Sequence, residues 1–371
     1  MRCCFSLIAG FTFLLSGLSF AQNTDAPASD TVMSFEAYDP PSTLVVPGRN
    51  VYRAKFPFVD VHNHQWRMPE QDLAALTAIM DTLNMAVMVN LSGRSGDFLA
   101  NAANNVKTNA PNRILLFANI DFRTIDDEDW TERTVAQLRQ DHKNGAVGLK
   151  IYKNLGLTAK DTSGNRIPVD DPRIGPVWDV CGELGMPVLI HSGEPAAFWL
   201  PKDGNNERWL EMKQRPRRWR GGGDYPSWEH IIGEQHRVFR KHSNTTFINA
   251  HLGWMGNDLA RLGDSLKALP NVYTEIGAVL AELGRQPRFA KQWFIDNQDR
   301  VLFGKDSWRP DEYATYFRVL ETNDEYFPYY RKRHAFWKMY GLDLPDDVLK
   351  KLYYQNALRI FPTIDRSLFP D

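Results

Sequence analysis

The sequence predicts an α/β fold, a (β/α)8 TIM barrel in a single domain with a long loop inserted after strand five. Three observations carry this. Eight short apolar runs alternate with longer amphipathic segments between about Phe58 and Phe361. The runs put their apolar residues on outward positions, as strands covered by helices do. The length also suits barrels of roughly 250 residues, which often form one domain.

Met1 to Gln22 carries Arg2, an apolar core and then small residues at Ser19 and Ala21, the layout of a secretory signal peptide (1–21) cleaved after Ala21. Residues 22–57, rich in Pro, Ser, Asp and Thr, read as a linker and an extended arm. Strands are expected at Phe58–Val61, Met85–Asn90, Ile114–Asn119, Ala146–Ile151, Pro187–His191, Thr246–His251, Val272–Ile276 and Val301–Phe303. Helices are expected between them, one with Leu73, Leu76, Met80 and Leu83 on one face and one over Asp171–Leu184, stopped by Gly185. A last helix over Asp346–Ile360 is expected to seal the barrel wall, and 362–371 form a tail. The interval between strands five and six is out of scale, and places an insertion at about Glu194–Trp228, over the active-site end of a barrel.

Composition narrows the function classes. The chain has 371 residues and a formal net charge of -1, so no global field draws it to nucleic acid or to an anionic membrane. Loss of the leader leaves Cys181 alone, so an exported, periplasmic or secreted protein would be held by its core without an internal disulfide. The expected partner is a small-molecule substrate, with no membrane attachment after cleavage. Oligomeric state stays open, a homo-oligomer included.

Strand alternation then picks out candidate residues. In FVDVHNH, Val59 and Val61 point one way and Asp60, His62 and His64 the other. In VGLKIY, Lys150 turns inward; in PVLIH and FINAH, His191 and His251 do so; in VLFGKD, Asp306 shares the inward parity. Each has an ordinary structural reading alone, such as a hydrogen-bonded strand end or a turn aspartate. Matching parity at the ends of strands one, four, five, six and eight favours a divalent metal site. A buried Lys150 must be paired, neutral or modified. Asp60 and Glu275 are candidates to orient a ligand imidazole from behind, with an ordinary strand hydrogen bond or ion pair as the equal alternative.

The motifs DVHNH at 60–64, LIHSGEP at 189–195, NAHLGW at 249–254 and LFGKD at 302–306 resemble the amidohydrolase superfamily of metal-dependent hydrolases, and in particular its amidohydrolase-related branch, which also contains decarboxylases and lactonases. The resemblance implies that His62, His64, His191 and Asp306 bind a divalent metal, most often zinc. His251 would bind a second ion or sit beside the first as an acid/base or orienting group. Lys150 stands where two-metal members carry a carboxylated lysine, so one or two ions are implied. Unmodified, it could hold a substrate carboxylate.

The chemistry expected is attack by metal-activated water on an amide, ester or lactone carbonyl, with Asp306 moving the proton and His251 stabilising the oxyanion or leaving group. The alternative is a decarboxylase of an aromatic or unsaturated acid on the same ligands, and a remote one is a non-catalytic ligand-binding barrel. Seven of the eleven tryptophans follow strand ends or lie in the insertion. Trp228 and Trp254, with Glu194, Lys150 and Arg218 of the basic RPRRWRGGG run, are the expected substrate contacts.

Overall fold

A computed structural model describes residues 33–334 and 336–370. The expected leader lies outside them. The chain divides into a unit ending at Pro41 and a unit over Ser42–Asp371. In the first, the described residues 33–41 hold one turn, closed by Ala37 N–H on Ser34 O at 3.0 Å. In the second, residues 42–57 form no helix or strand. They run along the domain through Arg49 N–H on Asp324, Ala54 N–H on Leu83 O and Lys55 N–H on Glu321.

Eight strands make one sheet, each parallel to the next in chain order: β1 (Phe58–Asn63), β2 (Met85–Asn90), β3 (Ile114–Asn119), β4 (Ala146–Ile151), β5 (Val188–Ile190), β6 (Phe247–Asn249), β7 (Val272–Glu275) and β8 (Val301–Leu302). Val61 N–H donates to Phe303 O at 2.9 Å and Asp306 N–H to His62 O at 2.7 Å, which brings the last strand back to the first and nearly closes a (β/α)8 barrel. The second to fourth strands have the expected limits, while the later ones stop one or more residues sooner. In the fifth and sixth, the residues beyond the sheet include His191 and His251, which serve the rim.

Helices cover the outside: α1 (Leu73–Leu83), α2 (Gly96–Asn109), α3 (Trp130–Lys143), α4 (Gly175–Glu183), α5 (Trp209–Gln214), α6 (Trp228–Lys241), α7 (Leu259–Ala268), α8 (Leu280–Arg285), α9 (Pro287–Asp296), α10 (Tyr313–Glu321), α11 (Asp346–Lys350) and α12 (Asn356–Ile360). Their ends follow capping chemistry. Asp72 accepts from Ala75 N at the start of α1, and Ser227 from His230 N at the start of α6. α5 falls in the insertion, and α8 opens directly into α9 at Pro287. A small antiparallel pair, β9 (Phe327–Pro328) and β10 (Lys338–Met339), forms a second excursion between α10 and α11.

The expected final helix is present as α11 and α12 joined by a π turn over Lys351–Gln355. Asn356 N–H donates to Lys351 O, one residue further back than α geometry requires. Leu352 O is thereby free to accept from Phe303 N–H at 3.0 Å, and Asn356 Nδ2 reaches Gln298 O and Val301 O, each at 2.8 Å. This helix therefore sits on the seam between β8 and β1. The tail is not structureless: a 3-10 turn at Arg366–Leu368 leads to Phe369, which stacks on Tyr354.

Candidate active site

His62, His64, His191, His251, Lys150, Glu275 and Asp306 meet at the C-terminal end of the barrel. The tightest group is His62, His251 and Asp306, whose ligand atoms all lie within 4.8 Å of one another. His62 Nε2 and His64 Nε2 stand 3.4 and 3.7 Å from the same oxygen, Asp306 Oδ1. His191 Nδ1 lies 3.2 Å from His251 Nε2.

Hydrogen bonds behind the imidazoles decide which nitrogen faces the centre. His62 Nδ1 meets Glu275 Oε1 at 2.9 Å, which fixes the proton on Nδ1 and leaves Nε2 bare. His251 Nδ1 meets Gly277 O at 2.7 Å with the same result. His64 Nδ1 lies 2.7 Å from Ser92 Oγ. Asp60 reaches no imidazole; it accepts from the backbone of His62 and Lys305 and from Tyr313 Oη at 2.6 Å. The orienting carboxylate is thus Glu275, which also accepts from His251 N–H at 2.6 Å and from Gly277 N–H.

The backbone itself is bent to this end. His251, Leu252, Gly253 and Trp254 form a left-handed turn with φ between 54 and 59°, and Asp306 has φ of 83°. Non-glycine residues adopt that region at a cost of about 1–2 kcal/mol each, and such strain gathers at functional sites. Here it carries His251 and Trp254 side by side, ring centroids 4.5 Å apart. Gly304 is obligatory for a different reason: a Cβ there would lie 2.4 Å from Glu275 Oε2.

Electrostatics agree with cation binding. Burial, helped by the Lys150 charge, holds His62 well below the usual imidazole range and lowers His64 to about 4; burial likewise lowers His191 and His251. Burial opposes ionisation of Asp306, but the positive charge that His62, His251, His64 and Lys150 carry once protonated in acid outweighs it, so the carboxyl stays below its ordinary range and is ionised where the imidazoles are neutral. Neutral imidazoles and an ionised carboxylate thus turn lone pairs toward one point, and the buried Nε2 atoms of His62 and His191 have no hydrogen-bond partner. That donor set fits a divalent metal. Lys150 is buried, its Nζ unpartnered, and burial lowers it to about 7.

Two cavities meet at Asp306 and Ser307. One, of about 770 Å³, is lined by His64, Trp66 and Trp308; Trp66 stacks on His64 at 5.3 Å and is 56% exposed. The other, of about 260 Å³, is lined by Lys153, His191, Glu194, Arg208, Glu211, Arg218, Trp254, Arg331, Arg333 and His334. Glu194 holds Lys153 Nζ at 2.6 Å, and its backbone carbonyl accepts from Trp228 Nε1 at 3.0 Å. Trp228 is thus a buried strut of the insertion and lines neither cavity. Trp199 and Trp219 likewise bind carbonyls of the insertion, Pro226 O and Leu200 O. Arg218 lines the cavity but is tied to Glu211. Sequence reading missed Arg208, Glu211, Arg331, Arg333 and His334. The RKRH run at 331–334 was the available signal.

The amidohydrolase family model matches residues 46–363. No curated protein matches the chain. Among solved structures, a 2,6-dihydroxybenzoate decarboxylase complexed with 2,6-dihydroxybenzoate shares the fold with a TM-score of 0.51 at 16% identity, over 83% of this chain and 99% of that one. A dihydroxybenzoic acid decarboxylase from Polaromonas sp. JS666, with bound manganese and the inhibitor 2-nitroresorcinol, gives 0.51 at 15% identity, over 84% and 99%. An uncharacterised TIM-barrel protein from Bordetella bronchiseptica gives 0.50 at 16%, over 82% and 98%. With a barrel, a histidine and aspartate cluster suited to a divalent metal, and a family match over most of its length, the chain belongs to the amidohydrolase family.

Proposed function

We propose that this protein is an exported, metal-dependent hydrolase that cleaves an amide, ester or lactone bond of a small molecule. The observation that carries the reading is the bare His62 Nε2 facing Asp306 Oδ1 at 3.4 Å, with His64 Nε2 at 3.7 Å from the same oxygen. His62, His64, Asp306 and either His191 or His251 would hold the ion, zinc being the first choice for a nitrogen-rich set. When bound, a divalent ion supplies acidification of water and polarisation of a carbonyl oxygen.

The chain's own groups do the rest. Asp306 takes the proton from the attacking water and returns it to the leaving group. Neutral His251, with Nδ1–H on Gly277 O, can only accept at Nε2, so it serves as ligand or base. Stabilisation of developing negative charge then falls to Lys150, whose unpartnered Nζ faces a buried site, unless it is carboxylated and bridges two ions.

Elemental analysis of the protein beside Lys150→Ala tests this. About two ions in the parent and a clear loss in the variant support a bridging carbamate; one ion in both supports Lys150 as a substrate contact. No bound metal after zinc or manganese is supplied sinks the reading. A second reading, decarboxylation, is favoured by the cation-lined cavity beside Asp306 and by the two decarboxylase structures that share the fold. Release of carbon dioxide from 2,6-dihydroxybenzoate would decide for it. Export is checked by intact mass, which should begin the mature chain at Gln22.

A further inference from the structure

The cavity of about 260 Å³ brings Lys153, Arg208, Arg218, Arg331 and Arg333 to the same wall, next to Asp306 and Ser307. Most of these cations are already answered. Glu211 meets Arg208 at 2.9 Å, Arg333 at 3.5 Å and His334 at 3.2 Å, and also binds Arg218. Arg208 binds Glu282 as well, and Glu194 binds Lys153.

Arg331 differs. Among the described residues no carboxylate lies in ion-pair reach of its guanidinium, which rests 5.4 Å from the centre of the Tyr330 ring. Glu312 acts on it through space but is engaged by Lys305 Nζ. The group is only partly exposed, so water covers it incompletely. One further donor in the same cavity, Trp254 Nε1, is buried without a hydrogen-bond partner. It cannot accept. A confined cavity with a free guanidinium fork and a spare donor matches an oxyanion, which two parallel N–H bonds grip well.

We propose that this cavity receives a carboxylate or phosphate of the substrate, remote from the bond that reacts, and that Arg331 is the residue selecting for it. The inference rests on the reading of Asp306 as the reacting end of the site. It makes the substrate an acid, which reacts at Asp306 while its charged end points under the β9 and β10 excursion that carries Arg331.

The test is calorimetric titration of the metal-loaded full chain with benzoate, phenyl phosphate and benzamide, repeated on Arg331→Gln and on Arg359→Gln, an outer-helix control. At least one of the two anions should bind saturably and benzamide at least about tenfold more weakly, the usual effect of losing a charge-assisted contact. Arg331→Gln should weaken the bound anion by about 10- to 100-fold at unchanged metal content and melting temperature, and Arg359→Gln should not. Which anion loses affinity separates carboxylate from phosphate. Equal binding by Arg331→Gln, benzamide binding as tight as that of the anions, or no anion binding by the parent overturns the proposal. Should Arg331→Gln fail to fold, a crystal of the parent with benzoate or phenyl phosphate replaces it: an oxyanion on Arg331 supports the proposal and one seated elsewhere overturns it. The same titration after chelation keeps the two readings apart. Arg331-dependent binding by a chain that takes up no metal sinks the hydrolase alone; Arg331-independent binding by a metal-loaded chain sinks this inference alone.

Discussion

Glu275 fixes two things at once: the tautomer of His62 and the backbone of the left-handed turn that carries His251. Glu275→Gln keeps the shape but weakens the acceptor, and metal affinity should fall by about 10- to 100-fold, read by competition with a chelator. A second residue sets an acid limit on stability. His236, half-buried on α6, is lowered to about 4 by burial and by Arg240 and Arg261. The unfolded chain therefore binds this proton at about 6.5 and the folded chain only near 4, so stability falls as pH drops through that window, by at most ~3 kcal/mol. His236→Gln should flatten that part of the urea-midpoint profile; an unchanged slope between pH 6.5 and 4 would remove His236 as its source. Strand alternation made the histidines, Lys150 and Asp306 legible, because one face of a strand is fixed by the other. It could not reveal Arg331, which lies on a loop and has no period to betray it.

At the scale of elements, Glu211 ties the insertion after β5 to the excursion before α11. This buried carboxylate gathers Arg208 and Arg218 from the insertion and Arg333 and His334 from the excursion before α11. Burial opposes its ionisation, but His334, Arg208 and Arg218 outweigh it and keep it charged. Glu211→Ala would leave buried cations unpaired and should destabilise the protein by about 3–5 kcal/mol, read from denaturant unfolding. It should also speed proteolytic cleavage within 200–224, where the chain is largely exposed. The sequence announced an insertion by its length and its tryptophans, yet not that the second excursion would lock onto it. Pairs separated by more than a hundred residues leave no local trace. The tryptophans divide accordingly: Trp199, Trp219 and Trp228 brace the insertion, while Trp66, Trp254 and Trp308 line cavities.

For the whole molecule, eight strand segments and their order were readable because the barrel repeats one unit, and only the ends of the short later strands were overrun. The π turn was not readable, since the carbonyl it frees, Leu352 O, answers Phe303 N–H on another element. Asn356 at this turn binds Gln298 O and Val301 O. Asn356→Ala should cost about 1–3 kcal/mol by leaving buried carbonyls unmet, and a loss under 0.5 kcal/mol in urea unfolding would deny the seam its importance. Among the described residues no helix is long and apolar enough to cross a membrane.

The seam also has a consequence in time. Val61 must find Phe303, and Phe303 must find Leu352, before the barrel has a continuous wall. A ribosome has by then released nearly three hundred residues after β1, and contacts so distant in sequence form late. Until residues near 356 emerge, the growing chain holds β1 with one edge bare. It would therefore stay open during most of its synthesis, and lock shut only once its last helix is made.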